Sequence, residues 1–113
     1  MAYTVFEVIA EPRRRQILDH LRERGESVVG DLVEQLDLSQ PTVSKHLRIL
    51  REAGFVRVRQ EAQRRWYRLG LDPFLEVEDW LGPYRRLWEE RLDDLAAHLD
   101  TMPDEDGAEG DGA

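Results

Sequence analysis

The chain is predicted to be mainly α-helical with one small β-hairpin, and three observations carry that prediction. Apolar residues recur at helical spacing over most of the length. The runs FVRVRQ and RRWYRL instead alternate apolar and basic residues, and start or stop residues stand at Pro12, Gly25, Ser39 and Gly54. With 113 residues, 41% of them apolar, one domain with a modest core is the simplest arrangement.

The first helix is expected from about Tyr3 to Ala10, with Val5, Phe6 and Ile9 on one side. Pro12 suits the first turn of a second helix, where a missing N–H costs nothing; Ile17, Leu18 and Leu21 form its inward stripe and Gly25 marks its end. Ser27 is expected to cap a third helix that buries Leu32, Val33 and Leu36, and Ser39 a fourth. Helices separated only by Asp37-Leu38-Ser39 read as a helix-turn-helix.

Gly54 fits the left-handed position past a helix end, and there the period changes. An antiparallel hairpin is expected around Glu61-Ala62-Gln63; alanine disfavours the positive φ of a tight turn, which implies a longer or differently shaped tip. Asp72-Pro73 then opens a helical stretch with Leu81, Trp88, Leu92, Leu95 and Leu99 on one stripe and Trp80 and Tyr84 beside it. Gly82-Pro83 predicts a kink or a break, because proline cannot donate to the carbonyl four residues back. Residues 103–113 hold five acids and no base, and are expected to be a disordered tail after a single domain spanning 1–102.

The net charge of −8 conceals a division. Residues 1–71 carry 13 Lys/Arg against 10 Asp/Glu, whereas residues 72–113 carry 3 against 14. Between Ser39 and Arg68 the ratio is 8 to 2, so positive charge gathers where a polyanion would be met. At 100° per residue Val43, Leu47 and Leu50 share the core side of the fourth helix. Pro41, Lys45 and Arg48 lie opposite, flanked by Ser44 and Arg51, with Gln40 at the amino-terminal end. Gln pairs with adenine at two points, Arg or Lys with guanine, and the helix amino terminus offers free N–H groups to a phosphate. The hairpin adds Arg64 and Arg65 at its tip and Arg57, Arg59 and Arg68 along its strands. Recognition helix and basic ribbon together make a winged helix-turn-helix, with one continuous cationic patch expected to face duplex phosphates.

At EPRRRQILDHL, LSQPTVSKHLRILREAGFV and RRWYRL the sequence resembles the ArsR-type winged helix-turn-helix repressors of bacteria and archaea, over about Val5 to Leu99. The resemblance implies a homodimer joined through the first and last helices, about 3–10 and 73–101. Phe6, Ile9, Leu81, Tyr84, Trp88, Leu92, Leu95 and Leu99 would then form the seam. It also implies a partly palindromic operator, release by an inducer that no motif identifies, and Gln40, Thr42, Ser44, Lys45, His46 and Arg48 nearest the major groove. His46 stands at the edge of the buried stripe, where a phosphate contact and local packing suit it equally. The closing segment looks like the autorepressor branch of the family, which lacks metal ligands; its aromatic residues suit a seam better than an apolar ligand pocket.

Several classes are disfavoured. The metal-sensing motif of the family would fall on Val28 to Leu32, where Val28 and Gly30 replace cysteines; His98 is the sole histidine of the last helix, so no metal or other cofactor is expected. There is no cysteine at all. His20 beside Asp19 has no nucleophile placed with it by any motif, and the paired carboxylates Glu89-Glu90 and Asp93-Asp94 flank Arg91 as solvated faces do, so no enzymatic activity is expected. No run approaches the roughly 18 apolar residues of a membrane span, and the amino terminus lacks a secretion pattern, so a cytoplasmic protein is expected. The reading is a sequence-specific regulator of transcription that binds double-stranded DNA. The alternative is a winged-helix protein–protein module that never touches DNA.

Overall fold

The computed structural model describes residues 3–101. Seven elements follow one another: α1 (Val5–Ile9), α2 (Pro12–Arg24), α3 (Val29–Leu36), α4 (Gln40–Glu52), β1 (Val56–Glu61), β2 (Arg64–Leu69) and α5 (Asp72–Thr101). They fall into two compact units, one ending at Asp79 and the other beginning at Trp80. The acidic tail expected to be disordered lies outside the described residues.

Local chemistry accounts for most helix ends. Thr4 and Glu7 close a reciprocal capping box on α1. Glu11 caps α2 by accepting the Arg13 N–H at 2.6 Å, with Pro12 in the first turn. Ser39 Oγ accepts the Thr42 N–H at 3.3 Å and donates to Thr42 Oγ1 at 2.8 Å, which starts α4. Arg14 Nη1 donates to the Val8 carbonyl, and Arg15 Nη1 to those of Ile9 and Ala10, so α2 supplies the donors that finish α1.

The core of the first unit is built from one stripe per helix. Ile17, Leu18 and Leu21 of α2 and Val43, Leu47 and Leu50 of α4 are buried as their spacing predicted, and Leu32, Ile49, Phe55, Val56 and Tyr67 join them. Phe55 meets Phe74 edge to face, with ring centroids 5.0 Å apart. Val33 and Leu36 are half-buried against this cluster. The turn between α3 and α4 places Asp37 in the left-handed region, at φ 54°.

On α1 Val8 is buried and Val5 half-buried, whereas Phe6, named for the expected seam, is 40% exposed. Three expectations require correction in whole or in part. Ser27 does not cap α3, whose N-cap Val28 makes no side-chain bond. Ser27 instead exchanges both backbone hydrogen bonds with Tyr67, at 3.0 and 2.9 Å, and adds a third edge beside β2. The hairpin tip is not lengthened: Glu61 pairs with Arg64 across the two residues Ala62 and Gln63, and Ala62 takes φ 57°. Alanine tolerates that conformation at a modest cost which the paired strands on either side offset. Finally, of the kink or break expected at Gly82-Pro83 the break is absent, and α5 runs through Pro83 as one helix. The missing N–H removes one rung of the ladder, and the remaining hydrogen bonds carry the helix across it.

In the second unit a single helix carries Leu81, Tyr84, Leu87, Trp88, Leu92, Leu95 and Leu99, all more than a third exposed. Trp80 and Tyr84 lie with ring centroids 5.0 Å apart. Among the described residues no helix is long and apolar enough to cross a membrane.

Candidate nucleic-acid interface

Four buried residues, Val43, Leu47, Ile49 and Leu50, fasten α4 to the core and thereby decide which side chains it turns outward. Gln40, Pro41, Ser44, Lys45, Arg48 and Arg51 are exposed. Antiparallel register fixes the hairpin faces in the same way. Val56, Val58, Tyr67 and Leu69 occupy the face that packs against the core, and Arg65 continues this face toward the tip.

The two elements meet along an open groove of about 550 Å³, lined by Pro41, Ser44, Lys45, Leu47, Arg48, Arg51, Arg65 and Tyr67. Four cations and the hydroxyl-bearing Ser44 and Tyr67 line it, and no carboxylate does. Arg48 lies 3.8 Å from Glu52, an exposed pair one turn apart that adds little to folding stability. Among the described residues Lys45, Arg51, Arg64 and Arg65 have no acidic partner within ion-pair distance. Exposed cations on opposite walls of a groove are what a phosphate backbone requires, since each neutralised phosphate releases condensed counterions.

The expected continuous cationic patch is divided in two. Arg57, Arg59 and Arg68 stand on the outward face of the hairpin and are matched with carboxylates: Arg57 with Asp72 at 4.0 Å, Arg68 with Glu26 at 3.7 Å, and Arg59 with both Glu26 and Glu61. Alternation along a strand sends neighbours to opposite faces, so a run such as RRWYRL cannot present all its arginines to one ligand. Arg64 and Arg65 part company for the same reason. Arg65 lines the groove beside α4, whereas Arg64 lines a separate depression with Glu61, Ala62, Gln63 and Trp66.

Thr42 is half-buried with its hydroxyl engaged by Ser39, so it helps to start α4. His46 is also half-buried, and its Nδ1 accepts from Arg14 Nε at 3.3 Å. That bond needs Nδ1 without a proton. Burial, and then the positive charge of Arg14, hold the His46 imidazole below its ordinary range, with Glu11 opposing them. The local packing role thus has its partner in Arg14.

A histidine whose folded pKa is depressed binds fewer protons folded than unfolded, so its stabilising contribution is complete above about 6.5, the ordinary value, and erodes as the pH falls below it. Melting midpoints between pH 8 and pH 5 should therefore fall more steeply for the native protein than for His46→Gln. Parallel curves would show that the imidazole is not the group responsible.

Sequence reasoning left Arg51 out of the binding set and missed Glu26 altogether. Arg51 was visible as a flanking residue of the basic face. Glu26 gave no signal, because its partners lie more than thirty positions away. Among the described residues no three His, Cys, Asp or Glu side chains gather so as to hold a metal ion.

Comparison with known proteins agrees with this geometry. The family model described as "Bacterial regulatory protein, arsR family" matches residues 11–58, from the cap of α2 into β1. The transcriptional repressor SdpR of Bacillus subtilis is 34% identical over 77 residues, which is 68% of this chain and 84% of the repressor. The transcriptional activator HlyU of Vibrio cholerae is 43% identical over 68 residues, 60% of this chain and 62% of HlyU. A crystal structure titled as an ArsR family transcriptional regulator superposes with a TM-score of 0.65 at 32% identity, covering 79% of this chain and 97% of that one. These relatives are named as regulators of transcription, not as enzymes. With the helix-turn-helix, the basic groove and the wing in one arrangement, the chain belongs to the ArsR family of bacterial regulatory proteins.

Proposed function

We propose that the protein is a sequence-specific DNA-binding regulator of transcription, a homodimeric repressor that acts on a partly palindromic operator in the cytoplasm. The observation that carries this reading is the groove between α4 and β2, where four cations gather in a protein whose net charge is −8. On this reading α4 enters the major groove. Gln40, Ser44, Lys45 and Arg48 meet base edges and phosphates from it, with Thr42 and His46 behind them, while Arg65 and the tip residue Arg64 reach the neighbouring backbone.

The apolar face of α5 supports the dimer. One helix alone cannot cover the apolar stripe of α5, and an exposed stripe containing Trp88, Leu92, Leu95 and Leu99 marks an interaction surface. Phe6 and Ile9 of α1 would contribute to the same seam, and two copies would set their recognition helices about one helical turn of DNA apart. The sense of regulation is taken from the repressors among the relatives.

The test is a gel shift of the duplex upstream of the protein's own coding sequence, against a random duplex of equal length. A shift specific to the upstream duplex supports the reading, and no shift on either favours a protein–protein module. Gln40→Ala is expected to weaken operator binding by about 1–3 kcal/mol with little change on random DNA. Arg65→Ala should weaken both and lower the salt slope by about 1. An Arg65→Ala variant with an unchanged slope would remove that residue from the backbone contact.

A further inference from the structure

We propose that Glu26 is a positioning residue that sets the wing and withholds Arg59 and Arg68 from nucleic acid, so that DNA is gripped by the α4 groove and not by every arginine of the hairpin. The proposal rests on the DNA-binding reading above.

Glu26 lies between α2 and α3, and its carboxylate faces the outward side of the hairpin. Arg59 Nε donates to Glu26 Oε1 and Oε2 at 3.1 Å each, and Arg59 Nη2 donates to Oε1 at 2.9 Å. Arg68 Nη1 lies 3.7 Å from Oε2. Arg59 also pairs with Glu61, and its guanidinium stands 5.7 Å from the centroid of the Trp66 ring. The next residue, Ser27, holds Tyr67 through two backbone hydrogen bonds, which brings the carboxylate into register with both strands. Hydrogen bonds from Arg59 hold the Glu26 carboxyl below the usual carboxylate range, so it is ionised wherever the protein works.

Two consequences follow. A forked guanidinium–carboxylate contact is directional, so it fixes the slant of the hairpin as well as attracting it. An arginine already paired with a carboxylate also presents a dipole to a passing phosphate, not a full charge, and releases little counterion on binding. Exposed pairs add little to folding stability, so the effect belongs to binding. Cations withheld in this way weaken the sequence-independent part of the affinity, which raises the share carried by bases read from α4.

The experiment measures the slope of log K against log salt on operator and random duplexes. For Glu26→Gln the slope should steepen by about 0.9 for each released arginine that reaches a phosphate. Affinity for random duplex should rise more than affinity for the operator. Glu26→Asp, which keeps the charge, should retain the native slope. Arg59→Gln should also leave the slope unchanged, because its charge is already satisfied; a flattening by about 0.9 would place Arg59 on a phosphate and overturn the proposal even if the Glu26 variants fail to fold. A Glu26→Gln variant that melts normally with the native slope and specificity overturns it too. A native protein that binds no duplex would instead remove the DNA-binding reading, and this proposal with it.

Discussion

Gly70→Ala should destabilise the protein by about 3 kcal/mol or more, lowering the melting midpoint by roughly 12 °C or more for a domain of this size. A Cβ at residue 70 would run into the carbonyl oxygen of Gly54, a backbone atom that no rotamer change can move aside. The two glycines mark the exits of α4 and β2, which run against one another where the Gly70 N–H donates to the Phe55 carbonyl at 2.7 Å. Phe55 is wholly buried, so a displacement there propagates into the core and into the slant of the wing. Gly54→Ala meets a different obstacle, since Gly54 has φ 87° and its added atom would touch the Pro73 ring at 3.2 Å. Thermal unfolding followed by circular dichroism checks the first prediction. A Gly70→Ala midpoint within a few degrees of the native one would mean that the chains separate more easily than the close approach implies.

The second large effect concerns assembly. Trp88→Glu places a carboxylate in the middle of the apolar stripe of α5, where Trp88 is 64% exposed and Leu92, Leu95 and Leu99 follow it. If two copies bury that stripe against each other, a charge at its centre must be desolvated without a partner, and the dimer should fall apart. Separated subunits bind two half-sites independently and forfeit the effective concentration of a linked pair, so operator affinity should drop roughly 10²–10⁴-fold. Sedimentation equilibrium should report a monomer while the melting of the first unit is little changed. A variant that remains dimeric and binds normally would place the seam elsewhere.

Much of this architecture was legible because it depends on neighbours in sequence. Pro12, Gly25, Ser39 and Gly54 act on adjacent backbone groups, and the stripes of α2 and α4 depend only on helical period, so those boundaries and buried residues followed from the sequence. The features that escaped it have causes far along the chain. Ser27 looked like a cap because serine before a helix usually is one, but Tyr67 claims its backbone forty residues later. Glu26 looked like any surface acid until the hairpin folded back upon it. The number of basic residues in the hairpin does not say which face each one takes, and strand alternation sends three of the arginines to carboxylates. Pro83 failed as a breaker because loss of one hydrogen bond is small beside those retained in a helix of 30 residues.

The donors lent by Arg14 and Arg15 to the carbonyls at the end of α1 have a bearing on how the molecule assembles. Five residues are too few for a helix to persist in water on its own. Until α2 exists, the carbonyls of Val8, Ile9 and Ala10 have no guanidinium to bind. The amino-terminal turn is therefore expected to form only with α2 in place and to be lost when α2 melts. Events that begin at this end can loosen α1 while the recognition helix, fastened by its own four buried side chains, keeps its place.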